Sequence, residues 1–369
     1  MRLGMFMMPV HPPDRTFWST LDEDTEKSLL ADQLGFDEVW LGEHFSANTE
    51  PIPSAMMFFA NLVARTKNIS FGTAVINIPN HNPVIVAAEC AQFDHMSKGR
   101  FLMGVGPGGL VSDFELFKNP DVHARNRMVV EAVSMIQQIW SQDPPYDLKG
   151  EFWNISLKDG IDAKLGIGYM PKPYQQPGPP VFISLASPNS SSAKTAALKG
   201  WGMLSANIIP TYSVASHWTV FSEACKAAGI KPSGDKWRVA RNMMVAKSDA
   251  EAEERVFGEG ASNSYFYTYM REVLNKVGML ILLKPRADMP DAEATVRAIT
   301  EECVLYGSPK TVLDKLVAFR DQVGPFGGLL MTGMDWGGKN KAWESESMRL
   351  LAQEVMPKFR QHATAQAAE

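Results

Sequence analysis

The stretch from Ile69 to Gly109, ISFGTAVINIPNHNPVIVAAECAQFDHMSKGRFLMGVGPGG, sets the architecture of the chain. Ile69 to Ile78 reads as a strand, and Pro79 stops it. Val84 to Met96 reads as a helix with Lys98-Gly99 at its exit. Phe101 to Val105 is a second strand and runs directly into glycines. Strand, helix and strand in this order predict a parallel βαβ unit.

The same alternation extends in both directions. Upstream lie a strand from Leu3 to Met8 and a helix from Glu23 to Leu34, ended by Gly35. A strand from Asp37 to Leu41 and a helix from Ala55 to Ala64 follow, with Ser54 as the cap. Downstream, Arg127 to Trp140 is helical by the spacing of Met128, Val129, Val133, Ile136 and Ile139. Further strands are read at 181–185, 202–206, 237–246 and 327–332. Helices fall at 190–198, 217–228, from Ser308-Pro309 to Arg320, and from Trp343 to Val355, with another opened by Ser248-Asp249-Ala250-Glu251. This pattern predicts one α/β domain over residues 1–369, a (β/α)8 TIM barrel with its site at the strand C-termini. A doubly wound open sheet is the competing arrangement. Two stretches break the rhythm. Residues 143–180, rich in Pro and Gly, read as an excursion across one end of the barrel, and 258–302 as a helical insertion after strand 7 that acts as a lid.

Composition narrows the function. The chain has 369 residues, 45% of them hydrophobic and 21% charged, with a formal charge of −5. No basic excess is available to meet phosphates, which argues against nucleic acid and anionic membrane surfaces. Cys90, Cys225 and Cys303 are too sparse for a disulfide framework or a zinc site. The apolar N-terminus is broken by Pro9, Pro12 and Pro13, so a first strand is the better reading than a signal peptide. No run reaches the roughly 18 apolar residues that a membrane span needs. A cytoplasmic protein is expected.

Loops after the strands carry the candidate chemistry. His44, in Leu41-Gly42-Glu43-His44-Phe45, has the residue type for proton transfer near neutral pH. A buried histidine satisfied by a backbone carbonyl is the plainer alternative, and Glu43 is expected to pair structurally with another strand-end residue. Ser187 to Ser192 precede a helix, where hydroxyls and unpaired amides suit a phosphate; plain N-capping is the commoner role of such a stretch taken alone. Arg125, just before the helix read from Arg127, is a candidate fixed charge. The loop Gly104-Val105-Gly106-Pro107-Gly108-Gly109 is not a dinucleotide fingerprint, but it allows a flat ring to approach the backbone. His44, His81, His95 and His123 are too scattered for a metal centre, and no GxSxG elbow is present. His95 is expected to anchor its helix end to the core.

Taken together, Gly42-Glu43-His44-Phe45, Gly72-Thr73-Ala74-Val75 with Pro79 and Asn82-Pro83, the run from Asp94 to Phe101, Gly104 to Gly108 and Gly307-Ser308-Pro309 resemble the bacterial luciferase-like family of flavin-dependent monooxygenases. With Ser112-Asp113, the glycine loop is most similar to the limonene-monooxygenase-like subgroup. The resemblance is dense over 1–140, thinner over 181–206 and sparse over 210–300. It implies a barrel that binds reduced FMN, supplied by a separate flavin reductase, and reacts it with O2. A C4a-(hydro)peroxyflavin then oxygenates a small apolar substrate. The resemblance makes His44 the catalytic histidine and Ala74-Val75 a non-prolyl cis peptide beneath the flavin ring. The implied cofactor-binding set is Ala74, Val75, Asn77, Gly106, Pro107, Gly108, Arg125, Ser187, Asn189, Ser190 and Ser191, with no metal. Pro107 stands where luciferase carries a phosphate-binding arginine, and Ala186 where it carries a glutamate. Met8, Phe45 and Trp336 are candidates for an apolar wall. A homodimer is also implied. The alternatives are a deazaflavin (F420)-dependent hydride-transfer enzyme and a flavin-storing protein without turnover.

Overall fold

Period-2 alternation in the short strands sends one set of side chains to the helices and the other to the barrel axis. In β1 (Arg2–Met7), Leu3, Met5 and Met7 join the outer core, while Phe6 packs inward. The computed structural model describes residues 1–119 and 121–368, with side chains as far as residue 364. Pro120 and Glu369 of the expected domain lie outside it. The remaining barrel strands are β2 (Glu38–Leu41), β3 (Ser70–Thr73), β4 (Phe101–Gly106), β5 (Val181–Leu185), β6 (Gly202–Ser205), β7 (Trp237–Val245) and β8 (Gly328–Gly333). Each pairs in parallel with the next. β8 then pairs with β1, from Arg2 opposite Gly328 to Met7 opposite Gly333, so the sheet closes into a (β/α)8 barrel.

The barrel axis is filled in layers. At the N-terminal end Glu38 receives two hydrogen bonds of 2.8 Å from the Arg238 guanidinium and a third from Trp40 Nε1. Arg238 also lies over the Phe182 ring, which meets Trp40 edge-on at 5.0 Å. Above this ion pair sit Phe6, Leu204, Ala240 and Leu330. Close approach of β3 to β4 requires a glycine. A Cβ on Gly104 would stand 1.8 Å from the Thr73 carbonyl, and Thr73 Oγ1 both donates to and accepts from the Gly104 backbone.

The structure departs from expectation at several junctions. The strand read over Ile69 to Ile78 is broken: β3 stops at Thr73, a cis peptide joins Ala74 to Val75, and pairing resumes at Ile76–Asn77. A 3-10 turn, Ile78–Asn80, follows. A short helix, Val111–Leu116, follows the glycine loop. The next helix is Val122–Ser141, capped by Asp121, so Arg125 lies inside its first turns rather than before it. His95 is exposed and reaches the Lys172 carbonyl at 3.0 Å, so it holds the 143–180 excursion rather than the core. Buried Asp94 pins the same excursion through Gln175. That segment contains an antiparallel hairpin, Tyr146–Lys149 with Asn154–Leu157.

Between β7 and β8 the chain forms helices Asp249–Phe257, Ser262–Lys276 and Val296–Cys303, then an extra strand, Val304–Gly307, along the end of β7. These helices bury Phe266, Tyr267 and Leu274 in a cluster of their own with Val10 and Met334, beside the barrel mouth. The C-terminal helix read as Trp343 to Val355 is longer, Asn340–Leu350 and Met356–Ala368 joined by a π turn. Among the described residues, no helix is long and apolar enough to cross a membrane.

Candidate active site

The site is built where β2 turns away from the barrel. Gly42 is confined: a Cβ there would lie 2.2 Å from Met8 Sδ and 2.7 Å from the Ala74 carbonyl. The next residue, Glu43, is buried and tied to the end of β3. Its Oε1 accepts from the Asn77 amide at 2.8 Å and meets His81 Nε2 at 2.6 Å, while its carbonyl accepts from Asn77 Nδ2 at 2.9 Å. Burial would lower the His81 pKa, but the hydrogen bond and charge of Glu43 outweigh it and the pKa is raised. Glu43 therefore has the structural pairing expected of it, and Asn77 uses its polar groups to hold this loop.

His44 follows at the rim, with Nδ1 3.1 Å from Glu50 Oε2. The loop is held from the far side by Asp113, which accepts from the Phe45 amide at 3.2 Å and from Ser46 Oγ. Phe45 packs edge-on against Phe117 and beside His81.

Next to this rim a cavity of about 80 Å³ opens at the strand C-termini. Its walls are Phe6, Ala74, Val75, Ser184, Leu185, Ala186, Leu204, Ser205, Ala206, Ala240 and Leu330. Alanines at 74, 186, 206 and 240 leave room for a flat group on an apolar floor. The glycine loop borders it, since a Cβ on Gly106 would meet Val75 Cγ2 at 2.6 Å and Ser184 Oγ at 2.5 Å. Gly108 has φ +81 and faces Asn77 and Phe114. Arg125 Cζ lies 3.3 Å from the centre of the Phe114 ring, and its Nη1 donates to the Asn119 carbonyl at 2.8 Å. Ala74, Val75, Asn77, Gly106, Pro107, Gly108 and Arg125 thus form one neighbourhood with the His44 loop.

The serine loop after β5 is held from a different side. Ser190 Oγ caps helix Ser191–Lys199 by accepting from the Ser192 amide, while Ser187, Asn189 and Ser191 are exposed. Asn189 donates its amide to Ser216 Oγ, and His217 Nε2 meets the Ser187 carbonyl at 2.9 Å. Burial pushes the His217 pKa down to about 4, so the ring is neutral, with Nε2 donating and Nδ1 accepting from Ser205 Oγ. Nothing in the spacing of the sequence singles out His217.

A second buried group also escaped sequence reasoning. His11 Nδ1 meets Asp335 at 2.7 Å and its Nε2 meets Asp24 at 3.2 Å. Arg15 bridges Asp335 and Glu23, and the fully buried Lys27 donates to the Met334 carbonyl beside Asp24. Trp336 lies in this knot, its amide on Glu23, rather than in the cavity wall. His11, Glu23 and Asp24 have donor atoms close enough to share a cation, but Arg15, Lys27 and His11 already neutralise these carboxylates. The loops after β1 and β8 meet here only through barrel closure.

This knot makes stability pH-dependent. Burial acts to lower the His11 pKa, yet the hydrogen bonds to Asp24 and Asp335 raise it from 6.5 to about 9. A raised folded-state value means that the contribution is complete below about pH 6.5 and is lost as pH rises through 9, up to ~3 kcal/mol. The midpoint of urea unfolding should therefore fall between pH 6.5 and 9 in the parent chain and fall less in His11→Asn. Equal slopes in the two proteins would remove His11 as the cause.

A closed parallel barrel with the His44–Glu50 pair on a loop at its C-terminal face and an apolar cavity at the same face is the architecture of a barrel enzyme. The Luciferase-like monooxygenase family model matches residues 1–324, and the chain belongs to that family. It is 29% identical to 4-hydroxyprotoasukamycin monooxygenase of Streptomyces nodosus subsp. asukaensis, over 96% of this chain and 91% of the relative. Limonene 1,2-monooxygenase of Rhodococcus erythropolis is 27% identical, over 96% of this chain and 86% of the relative. Among solved structures, the oxygenating constituent of 3,6-diketocamphane monooxygenase from Pseudomonas putida, a Type II Baeyer-Villiger monooxygenase in complex with FMN, aligns with a TM-score of 0.87. That alignment covers 97% of this chain and 98% of the solved one, at 24% identity.

Proposed function

We propose that this chain is the FMN-dependent oxygenase of a two-component system, acting on a small apolar organic substrate. Two electrons from reduced FMN and one molecule of O2 yield the oxygenated product, oxidised FMN and water. The observation that carries the reading is the Ala-lined cavity walled by Ala74 and Val75, with the His44 loop set against Ala74 at Gly42. A planar ring fits such a floor, and a Cβ at Gly106 would intrude on the residues that line it. Reduced FMN, when bound, activates O2 at its C4a position. The residues assigned to hold its ring are Ala74, Val75, Gly106, Pro107 and Gly108, with Asn77 supporting them through Glu43.

The phosphate is assigned to Arg125 and to the Ser187, Asn189, Ser190 and Ser191 loop at a helix N-terminus, where amides and hydroxyls favour an anion. Pro107 offers no charge, which leaves Arg125 as the fixed cation. Arg125→Ala should therefore weaken FMN binding about tenfold or more, the scale of one charge-assisted contact. A titration of FMN fluorescence measures this, and unchanged affinity would take Arg125 out of the phosphate site.

His44 handles protons at the reacting oxygen, while the apolar walls exclude water from it. No dinucleotide-binding fingerprint is present in the sequence, so reduced FMN is assigned to a separate flavin reductase. A cytoplasmic location is part of this reading, and three free, buried cysteines support it. Exposed Met57 and Ile85, on helices Ala55–Val63 and Pro83–Ser97, support a homodimer. A deazaflavin-dependent reading draws on a weaker likeness: F420-dependent glucose-6-phosphate dehydrogenase of Amycolatopsis mediterranei is 26% identical over 48% of this chain. Turnover of ketones, terpenoids and aldehydes with reduced FMN and O2 tests the proposal. Turnover with reduced deazaflavin alone would overturn it, as would the absence of product above a no-protein control.

A further inference from the structure

Behind His44 the segment from Thr49 to Ile52 is fixed from several sides. The Thr49 carbonyl accepts from the His11 amide at 2.8 Å, and the Ile52 carbonyl accepts from the His44 amide at 3.2 Å. Thr49 Oγ1 meets Tyr269 Oη at 2.9 Å, which ties the segment to the helical insertion. Glu50 is thereby carried to His44 Nδ1, with the two side chains only 13% and 16% exposed. The carboxylate stands off the line along which the ring N–H would donate, so the contact is an ion pair more than a directed hydrogen bond. Both side chains line a small cleft with Met8, Leu41, Ile52 and Asp24. In that apolar setting an ion pair is weakly screened.

The charged groups around His44 are carboxylates on every side. Glu50 comes from its own loop, Asp24 from helix Phe17–Gln33, Asp113 from helix Val111–Leu116, and Glu43 from the preceding residue. Three of these are engaged elsewhere. Asp24 is paired with His11 and Lys27, Asp113 with Ser46 and the Phe45 amide, and Glu43 with His81 and Asn77. Glu50 is the carboxylate whose side chain reaches the imidazole itself.

We propose that Glu50 is a positioning residue that acts through His44: its carboxylate, 3.1 Å from Nδ1, keeps the imidazole proton-bearing and leaves Nε2 to serve the reaction. This rests on the reading of His44 as the group that handles protons. Nε2 donates its proton to the oxygen atom that leaves as water, and solvent restores the proton. The electrostatics agree in direction. Burial alone would lower the His44 pKa, but the charge of Glu50, then Asp113 and Glu43, outweighs it and the value is raised. Glu50 thus favours the proton-bearing form of His44, where burial without a carboxylate partner would favour the neutral ring.

The test separates the pair from the reaction. In 15N-histidine-labelled full-length protein, the His44 signals are assigned by their loss in His44→Gln and titrated without cofactor. Glu50→Gln should lower the His44 pKa by at least one unit, and Glu50→Asp should recover part of that shift. In turnover with reduced FMN, the alkaline limb of the pH–rate profile should move down by the same amount. Activity well above the parent's alkaline pKa would then be about tenfold lower, while activity on the acid plateau changes little. An unchanged His44 pKa in Glu50→Gln overturns the pairing. A lowered pKa with an unmoved rate profile overturns the role in the reaction. If neither protein forms product, the function reading fails while the titration still decides the pair.

Discussion

Replacing His44 by Ala should reduce product formation by roughly 10²- to 10⁴-fold, the span usual for loss of a positioned acid–base group. FMN affinity should stay within about tenfold, or roughly 1.4 kcal/mol. The two effects separate because His44 lines a small cleft of its own and is absent from the walls of the cavity. Removing the ring takes away proton transfer and leaves the alanine walls and glycine loop in place. Oxygen consumption should continue without coupled product, since reduced flavin reacts with O2 unaided. Equal product formation in mutant and parent would remove His44 from catalysis.

The largest effect on stability is expected at the opposite end of the barrel. Glu38→Ala leaves Arg238, only 6% exposed, without its bidentate partner, and frees the Trp40 indole N–H. Breaking a buried ion pair from one side costs about 3–5 kcal/mol. The midpoint of chemical unfolding reports the loss, and Glu38→Gln should fall between parent and alanine because it keeps an acceptor for both donors. The double replacement Glu38→Met with Arg238→Leu should recover much of the loss, since it buries neither charge. A change below about 0.5 kcal/mol in Glu38→Ala, the size of a surface substitution, would mean that the pair contributes little.

How much of this was legible depends on the range of the interactions. The eight barrel strands follow from local apolar runs and their proline and glycine stops, and short pieces such as Val181–Leu185 fall where they were read. The helix read from Glu23 starts earlier, at Phe17, because its first turns carry Trp18 and Phe17 exposed and offer no buried stripe to read. The break at Ala74-Val75 lies inside an apolar run, and periodicity treats such a run as one strand.

The site divides in the same way. His44, the glycine loop and Ser187 to Ser191 sit at strand ends, so sequence order alone brings them to one face. Glu50, His217 and the His11–Asp335 pair are polar residues inside unremarkable stretches. Glu50 reaches His44 through the turn of their shared loop, His217 reaches Ser187 and Ser205 across neighbouring βα units, and His11 meets Asp335, 324 positions away, through barrel closure. No local signal carries that information.

Incorporation of oxygen from 18O2 reports on the oxygenation itself. The chain, reduced FMN and a cyclic ketone or terpene are mixed under 18O2, and the product is read by mass spectrometry. One 18O atom is expected in each product molecule, the second appearing in water, with reduced deazaflavin unable to replace reduced FMN. A product without 18O, or one formed only with reduced deazaflavin, would contradict FMN-dependent oxygenation.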